Sequence, residues 1–263
     1  MRTRRVAHCT TMMATIGCSL LLVLCAGARA VLAADLKVMS TVALSATLDE
    51  VKPKFESATG HQVTIVYGVI AELKKRVQDG ETSDVMLLSR AALDDLQSQG
   101  KVAAGSIVNV ASSSVSVAAR SGAPKPDIST SDALKRAVLA SKSIVYADPA
   151  KGGASGVHFA KVLDRLGIAD EMKAKTILVP GAQAAEVVSK GEAELGVAMA
   201  SEIVPIAGAQ LVGPLPGHLG MSLVFSAGIG PTSKDPAAAN ALIRFITGPA
   251  TAAVLKAKGM DQP

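Results

Sequence analysis

The residues best suited to chemistry in this chain lie in a glycine-rich segment at residues 148–168. Gly152, Gly153 and Gly156 allow backbone N–H groups to approach a ligand closely, and Ser155 stands where a helix N-cap is expected. Apolar residues then recur at the spacing of one helix face. Because the first N–H groups of a helix attract anions, the segment predicts one side of an anion-binding cleft. A plain strand-loop-helix connection with turn glycines fits the same residues.

Two better-known phosphate sites do not fit this segment. A Walker A loop needs Lys and then Ser or Thr after its second glycine, but Val157 and His158 follow Gly156. A dinucleotide fingerprint needs an acidic residue at the end of the next strand, and the predicted strand Lys175–Val179 runs into Pro180 instead.

Catalytic side chains are sparse outside this segment. Three histidines follow residue 33, namely His61, His158 and His218, and none lies in a nucleophile elbow or a His-Glu-x-x-His helix. All three cysteines lie within residues 1–33, which excludes thiol and cysteine–metal chemistry once that segment is removed. We therefore expect no enzyme, no metal and no cofactor, with a serine-dependent hydrolase as a less favoured alternative. The absence of Trp also disfavours sugar and quaternary-ammonium ligands.

The elements that position these residues begin with a β-α-β-α-β-α pattern at residues 36–99. This pattern predicts a doubly wound parallel sheet, whose ligands lie beyond the carboxyl ends of the strands. Those ends carry hydroxyl or glycine residues, although serine and glycine are also ordinary turn residues. They are Ser40, Thr41, Tyr67, Gly68 and Ser89.

A second lobe follows. The strand Ser114–Arg120 is expected to cross into it, and Ser129 or Ser131 is expected to cap its first helix. The strand 194–198 ends near Ser201, a further candidate for the site. Strands at residues 209–212 and 223–228 are expected to return to the first lobe, and two helices end the chain. Arg120 is a candidate counter-charge, although it also fits a solvated strand end.

The first 33 residues have the pattern of a secretory signal peptide. Arg2, Arg4 and Arg5 precede an apolar stretch at residues 12–24, and small residues before Ala34 offer a cleavage site. Removing this segment leaves 23 basic against 22 acidic residues, so no nucleic-acid partner is indicated. The chain is expected in the periplasm.

Several motifs resemble type II periplasmic solute-binding proteins, in particular the molybdate-binding group of ABC-transporter components. The motifs are Phe55–Gly60, Asp148-Pro149 with Gly153–Gly156, Gly191–Val197 before Ser201, and Gly259-Met260. The resemblance implies two doubly wound α/β lobes joined by a hinge, with lobe 1 at residues 34–118 and 223–263 and lobe 2 at 119–222.

In that group, an oxyanion is held by serine hydroxyls, backbone N–H groups and often one tyrosine. Ser40 matches the first serine, whereas Gly68 stands where a second serine is usual, and Met199-Ala200 lie near the usual tyrosine. The ligand is therefore expected to be a molybdate-like oxyanion or a small polycarboxylate. The expected contacts are Ser40, Thr41, Tyr67, Gly68, Ser89, Ala154, Ser155, Gly156 and Ser201, with Arg120 as a further candidate.

The resemblance also implies a partner. We expect a monomer that delivers a small anion to an ABC permease at the inner membrane. A periplasmic sensor that reports its ligand to a membrane receptor is the alternative, since the same cleft would serve both.

Overall fold

The computed structural model describes residues 33–262. The predicted signal peptide, residues 1–33, therefore lies outside the described residues except for its last residue, Ala33. Its three cysteines also lie outside them. Nine strands form the framework: β1 (Asp35–Thr41), β2 (Gln62–Gly68), β3 (Val85–Ser89), β4 (Val108–Arg120), β5 (Ile144–Ala147), β6 (Thr176–Val179), β7 (Leu195–Met199), β8 (Ala209–Pro214) and β9 (Ser222–Ile229).

Within residues 33–262, ten α-helices cover the strands, with short 3-10 turns between some of them. They are α1 (Ser45–Thr59), α2 (Ile70–Gln78), α3 (Arg90–Ser98), α4 (Ser131–Ala140), α5 (Ala154–Leu166), α6 (Ala169–Met172), α7 (Ala184–Ser189), α8 (Ala200–Ile203), α9 (Pro236–Ile246) and α10 (Pro249–Ala257).

The strands are hydrogen-bonded in the order β2-β1-β3-β9-β4-β7-β5-β6, and β8 also pairs with β4. In the first half, β1 is parallel to β2 and β3, while β9 is antiparallel to β3 and β4. In the second half, β5 is parallel to β6 and β7, while β4 is antiparallel to β7 and β8. Each half is thus a mostly parallel sheet with antiparallel strands where the halves meet. The two-lobe α/β fold predicted from the sequence is confirmed.

The strand β4 belongs to both sheets. Ser114 still pairs with Ser222 of β9, whereas the next residue, Val115, pairs with Met199 of β7. The chain therefore changes sheet between Ser114 and Val115, and it returns between β8 and β9. The predicted lobe boundary at residue 118 stays a prediction, and the strand registers place the crossing a few residues earlier.

Alternating burial explains why these strands sit between helices. In β1, Val38 faces the large core that includes Leu48 and Phe55 of α1, while the next residue, Met39, faces a second cluster with Leu73 of α2. Successive side chains of a strand point to opposite faces, so β1 is covered on both sides. This is the arrangement expected for buried parallel strands.

Two details differ from the sequence-based expectations. Thr130, rather than Ser129 or Ser131, caps α4, because its hydroxyl accepts a hydrogen bond from the Ala133 N–H at 3.1 Å. The strand β8 does not return to the first sheet, because it pairs with β4 from Ser116 to Arg120.

In the segment 33–262, no single helix is long and apolar enough to span a bilayer. The consecutive helices α9 and α10 are long and apolar enough only when taken together, and their axes are bent by 56° at the break between them.

Candidate functional site

A small cavity lies between the two sheets, at the carboxyl ends of their parallel strands. Its volume is about 30 Å³. Residues from the ends of β1, β5 and β7 line it, and Leu223 and Phe225 of β9 contribute apolar surface. The cavity therefore occupies the position where ligands bind in α/β folds of this kind.

The first-lobe wall is built from helix starts. Thr41 ends β1 and is followed by a 3-10 turn, Val42–Leu44, which leads into α1. Val69 is the N-cap of α2, and Ile70 is its first residue. All of these except Leu44 line the cavity. Because the first N–H groups of a helix have no partner within the helix, this wall presents hydrogen-bond donors.

The second-lobe wall is the start of α5. Gly153 is its N-cap, and the predicted cap, Ser155, lies inside the first turn because the helix begins at Ala154. Ala154 and Ser155 line the cavity together with Ala147, the last residue of β5. Ser155 is buried in this wall, and its hydroxyl can act as a hydrogen-bond donor.

Gly156 explains how α5 comes so close to β5. A Cβ atom at this position would lie 1.8 Å from the Ala147 carbonyl oxygen. Only glycine permits that approach, so Gly156 serves the packing that sets the height of the helix start. It does not line the cavity.

A wider mouth of about 360 Å³ adjoins the cavity. Val42, Gly181 and Glu202 line both spaces, so they form the boundary between them. Ser201 lines the mouth, and its buried hydroxyl has no hydrogen-bond partner within residues 33–262. Its backbone N–H is held by the Ser113 hydroxyl of β4 at 3.1 Å. A second hydroxyl is thus available beside the cavity.

The two lobes touch on either side of the cavity. A Cβ on Gly152, in the second lobe, would lie 2.6 Å from the Ala71 Cβ of α2 in the first lobe. Gly152 also adopts a left-handed conformation, with φ of 77°. A Cβ on Gly181, also in the second lobe, would lie 4.0 Å from the Val69 Cγ1 in the first lobe. Glycine at these contacts lets the lobes close tightly.

Glu202 is the residue that sequence reasoning missed. It is the only ionisable side chain among the cavity-lining residues. Its Oε2 accepts a hydrogen bond from the Met199 N–H at 3.1 Å, which holds the carboxyl at the start of α8. Burial raises the pKa of Glu202 to about 7, and the Met199 hydrogen bond opposes part of that rise. In the sequence, the feature that points to Glu202 is its position just after the apolar run that forms the buried strand β7.

The structure brings some predicted site residues together. Thr41, Ala154 and Ser155 line the cavity, and Ser201 lines its mouth. Their role in ligand binding stays a prediction.

The other predicted residues lie elsewhere. The fully buried Ser40 donates to the Thr41 carbonyl at 3.1 Å, and the Tyr67 hydroxyl donates to Asp49 at 2.7 Å. Burial and that hydrogen bond raise the pKa of Tyr67. Ser89 caps α3 by accepting from the Ala92 N–H at 3.3 Å. Gly68 ends β2, packed against Leu73 of α2, and does not line the cavity.

Arg120 is remote from the cavity. It follows Ala119, which pairs with Leu195 at the start of β7, whereas the cavity lies at the other end of that strand, at Met199. The Arg120 guanidinium is exposed beside Gly191. Strand geometry separates the two ends of β7 by about 13 Å, so the guanidinium does not supply a counter-charge here.

The histidines also have structural partners. His61 is buried, stacks on Phe55 and accepts a hydrogen bond from the Ala34 N–H at 3.0 Å. The His158 Nε2 donates to the Leu219 carbonyl at 2.8 Å, while His218 is exposed. Among residues 33–262, no cluster of three or more His, Cys, Asp or Glu side chains could hold a metal ion.

Comparison with known proteins identifies the family. A match to bacterial extracellular solute-binding proteins covers residues 36–261. The chain belongs to this family. The resemblance seen in the motifs is thereby confirmed, including its relation to the molybdate-binding group.

Two relatives differ in what their names describe. Aconitate isomerase from a Pseudomonas species is 32% identical over 231 residues, covering 86% of this chain and 87% of that protein. The molybdate-binding protein ModA of Azotobacter vinelandii is 30% identical over 235 residues, covering 86% of this chain and 90% of that protein. The chain is thus similar to one protein named for an enzymatic role and to another named for a binding role.

The fold is shared with solved structures. The periplasmic molybdate-binding protein of Azotobacter vinelandii matches with a TM-score of 0.72 and 23% identity, covering 87% of this chain and 99% of that one. At this identity the match shows the fold, and the ligand has to be argued from the cavity.

Proposed function

We propose that this solute-binding protein captures a small carboxylate anion, a di- or tricarboxylate, for an ABC importer. The observation that carries the proposal is the cavity itself, in which the N-termini of helices from both lobes converge with the hydroxyls of Thr41 and Ser155. Several N–H and O–H donors around one small space favour an anion.

The choice of a carboxylate over molybdate has two supports. Gly68 and Met199-Ala200 replace the serine and tyrosine that the molybdate-binding group uses, so a tetrahedral oxyanion would lose two donors. The cavity of about 30 Å³ also continues into a mouth of about 360 Å³, where Ser45, Gln183 and Ser201 provide polar groups. This shape favours an elongated anion with one charged group inside and another in the mouth. The relative named for aconitate, a tricarboxylate, agrees.

The proposed partner and location follow from the family. Closure of two lobes on a ligand suits delivery to an inner-membrane permease, in which the closed form is the one recognised. Export through the predicted signal peptide would place the mature chain in the periplasm as a monomer.

A thermal-shift screen tests the ligand class. Ligand binding to the folded state raises Tm by linkage, by an amount that grows with ligand concentration over Kd. Tricarballylate, citrate, succinate, molybdate and sulfate should be compared at pH 6. We expect the largest rise with a di- or tricarboxylate. A rise with molybdate alone would reject the carboxylate assignment, and no rise with any anion would reject anion capture.

Ser155 provides the residue-level test. Replacing Ser155 by Ala removes a hydroxyl that faces the cavity, so affinity for the best carboxylate should fall by about 1 kcal/mol, or roughly fivefold. Ser40→Ala is the matched control, because the Ser40 hydroxyl bonds the Thr41 carbonyl and lies outside the cavity. Isothermal titration calorimetry measures both. Equal affinities for wild type and Ser155→Ala would remove Ser155 from the site.

An isomerase is the second candidate, favoured by the relative named aconitate isomerase. Moving a double bond within an unsaturated polycarboxylate requires a group that removes a proton from one carbon and returns a proton to another, without a redox partner. Glu202 is the only ionisable side chain in the cavity lining, and a carboxyl pKa near 7 suits that role. Incubating the protein with trans-aconitate in D₂O and following the vinyl and methylene signals by NMR tests it. No interconversion and no deuterium incorporation would reject catalysis.

A further inference from the structure

Glu202 introduces a carboxyl group into a cavity otherwise built from donors. It lines the inner cavity and the mouth, so a ligand that occupies both spaces passes this side chain. One carboxyl oxygen accepts the Met199 N–H at 3.1 Å, and no side chain among the described residues donates to the carboxyl. An ionised Glu202 would therefore stand unneutralised beside a bound anion.

Within the described part of the chain, the elements around Glu202 bring no cation to its carboxyl. The helix α8 packs against β4, β7, β8 and the 3-10 turn at Val42–Leu44, and the only ionisable residue in those elements is Arg120, at the far end of β4. Glu186 of α7 is the other ionisable residue that lines the mouth, and it carries the same sign. The start of α5 faces the cavity with Gly153, Ala154 and Ser155, none of which ionises. Lys258, just after α10, is held by Glu50 at 3.1 Å.

An anion and an ionised carboxylate exclude each other in a confined, poorly hydrated space. A neutral carboxyl, in contrast, carries an O–H group that can donate to an oxygen of the ligand. The same site thus repels an anion in one protonation state of Glu202 and adds a donor in the other.

We propose that Glu202 binds the anion as a neutral acid, so that the cleft takes up one proton together with each ligand. The inference rests on the proposed function, because it concerns the same cleft. Burial already raises the Glu202 pKa to about 7, so the neutral form is populated near neutral pH before the ligand arrives.

Calorimetry on the mature wild-type protein tests the proton uptake directly. Tricarballylate and sulfate are ionised at pH 8, and sulfate is too weak a base to hold a proton in the complex, so a proton taken up with sulfate must go to the protein. Titrations at pH 8 in two buffers of different ionisation enthalpy should give close to one proton per ligand. Affinity should fall about tenfold for each pH unit above 7. Measurable binding with no proton uptake at pH 8 would overturn the inference.

Two variants locate the proton. Glu202→Gln keeps the shape and supplies a permanent amide donor, so it should bind at pH 8 with an affinity that no longer depends on pH. Glu192→Gln is the matched control, because the exposed Glu192 lines neither the cavity nor the mouth, and it should keep the wild-type pH dependence. Circular dichroism confirms that both variants fold.

The outcomes separate the two proposals. A pH dependence that survives in Glu202→Gln, or that disappears in Glu192→Gln, would overturn the assignment of the proton to Glu202 while anion capture stands. Failure of the wild type to bind tricarballylate, sulfate, citrate and molybdate at any pH from 5 to 8 would reject anion capture, and this inference with it.

Discussion

At the scale of single residues, Gly156 shows how a residue without a side chain shapes the site. The carbonyl oxygen of Ala147 occupies the place that a Cβ atom would take, at 1.8 Å. The first turn of α5 can therefore lie directly on the end of β5, and this contact brings Ala154 and Ser155 into the cavity wall.

Gly156→Ala should accordingly destabilise the protein. The added methyl group forces α5 away from β5, and such overpacking costs roughly 2 kcal/mol or more, a fall in Tm of about 5 °C. Gly213→Ala is the matched control, because the nearest atom to its added Cβ would be the Ile128 Cδ1 at 3.7 Å, an ordinary contact. Thermal unfolding compares the two. Equal stability in both variants would contradict the close packing at Gly156.

Glu202 should also make the stability of the free protein depend on pH. Its pKa is about 7 in the folded chain against an ordinary value of 4.5, so between these pH values the folded state holds a proton that the unfolded state has lost. The contribution of Glu202 to the free energy of unfolding thus falls as pH rises through this window, by about 3 kcal/mol in all.

Urea unfolding of wild type and Glu202→Gln at pH 5, 6, 7 and 8 measures this effect. We expect the variant to gain stability relative to wild type as pH rises to about 7, and the difference to level off above that. A difference that stays constant across the series would show that the Glu202 pKa is close to its ordinary value.

At the scale of elements, the start of α4 shows that neighbouring polar residues compete for one cap. Ser129, Thr130 and Ser131 all carry hydroxyls, but Thr130 has the extended backbone of an N-cap, with φ of −131° and ψ of 165°. The Ser129 N–H is instead bonded to Asp127 Oδ1 at 2.9 Å. The turn before the helix thus selects the capping residue.

Thr130→Ala should lower the free energy of unfolding by about 1 kcal/mol, because the Ala133 N–H loses its acceptor. The controls are Ser129→Ala and Ser131→Ala, for which we expect changes within about 0.5 kcal/mol. Denaturant unfolding measures all three. A larger effect at Ser129 or Ser131 would show that this serine caps α4, as expected from the sequence.

At the scale of the whole molecule, the contact between lobes depends on Gly152. This residue faces Ala71 across the cleft, and its own conformation has a positive φ that other residues adopt at a cost. The lobes are joined by the crossing in β4 and by the return between β8 and β9. A side chain at Gly152 would therefore resist closure without cutting either connection.

Gly152→Ala should weaken carboxylate binding about tenfold or more, because the added methyl group holds the lobes apart. Gly122→Ala is the matched control, since Gly122 also has a positive φ, 82°, but no atom lies within 4 Å of an added Cβ. Both variants carry backbone strain of about 1 kcal/mol. Calorimetric affinities separate the effects, and equal affinity in the two variants would show that closure tolerates the methyl group.

The amino-acid sequence determined the elements and their order. The period of the apolar residues in α5, the continuous apolar run of β3 and the glycine at the end of α5 are local properties, and local properties fix helices, strands and turns. The repeated β-α order also predicts that ligands bind at the carboxyl ends of strands, and three of the residues predicted for the site, Thr41, Ala154 and Ser155, line the cavity there.

Only the tertiary structure decided which strand ends meet. The hydroxyls of Ser40, Tyr67 and Ser89 stand at equivalent sequence positions, but each bonds a neighbour in its own lobe. The register of β4 with β7 carries Arg120 to the opposite end of the sheet, and the packing of α8 brings Glu202 to the boundary of the cavity. Side-chain direction, strand register and burial depend on contacts between residues far apart in the chain, and these contacts also determine the pKa of Glu202.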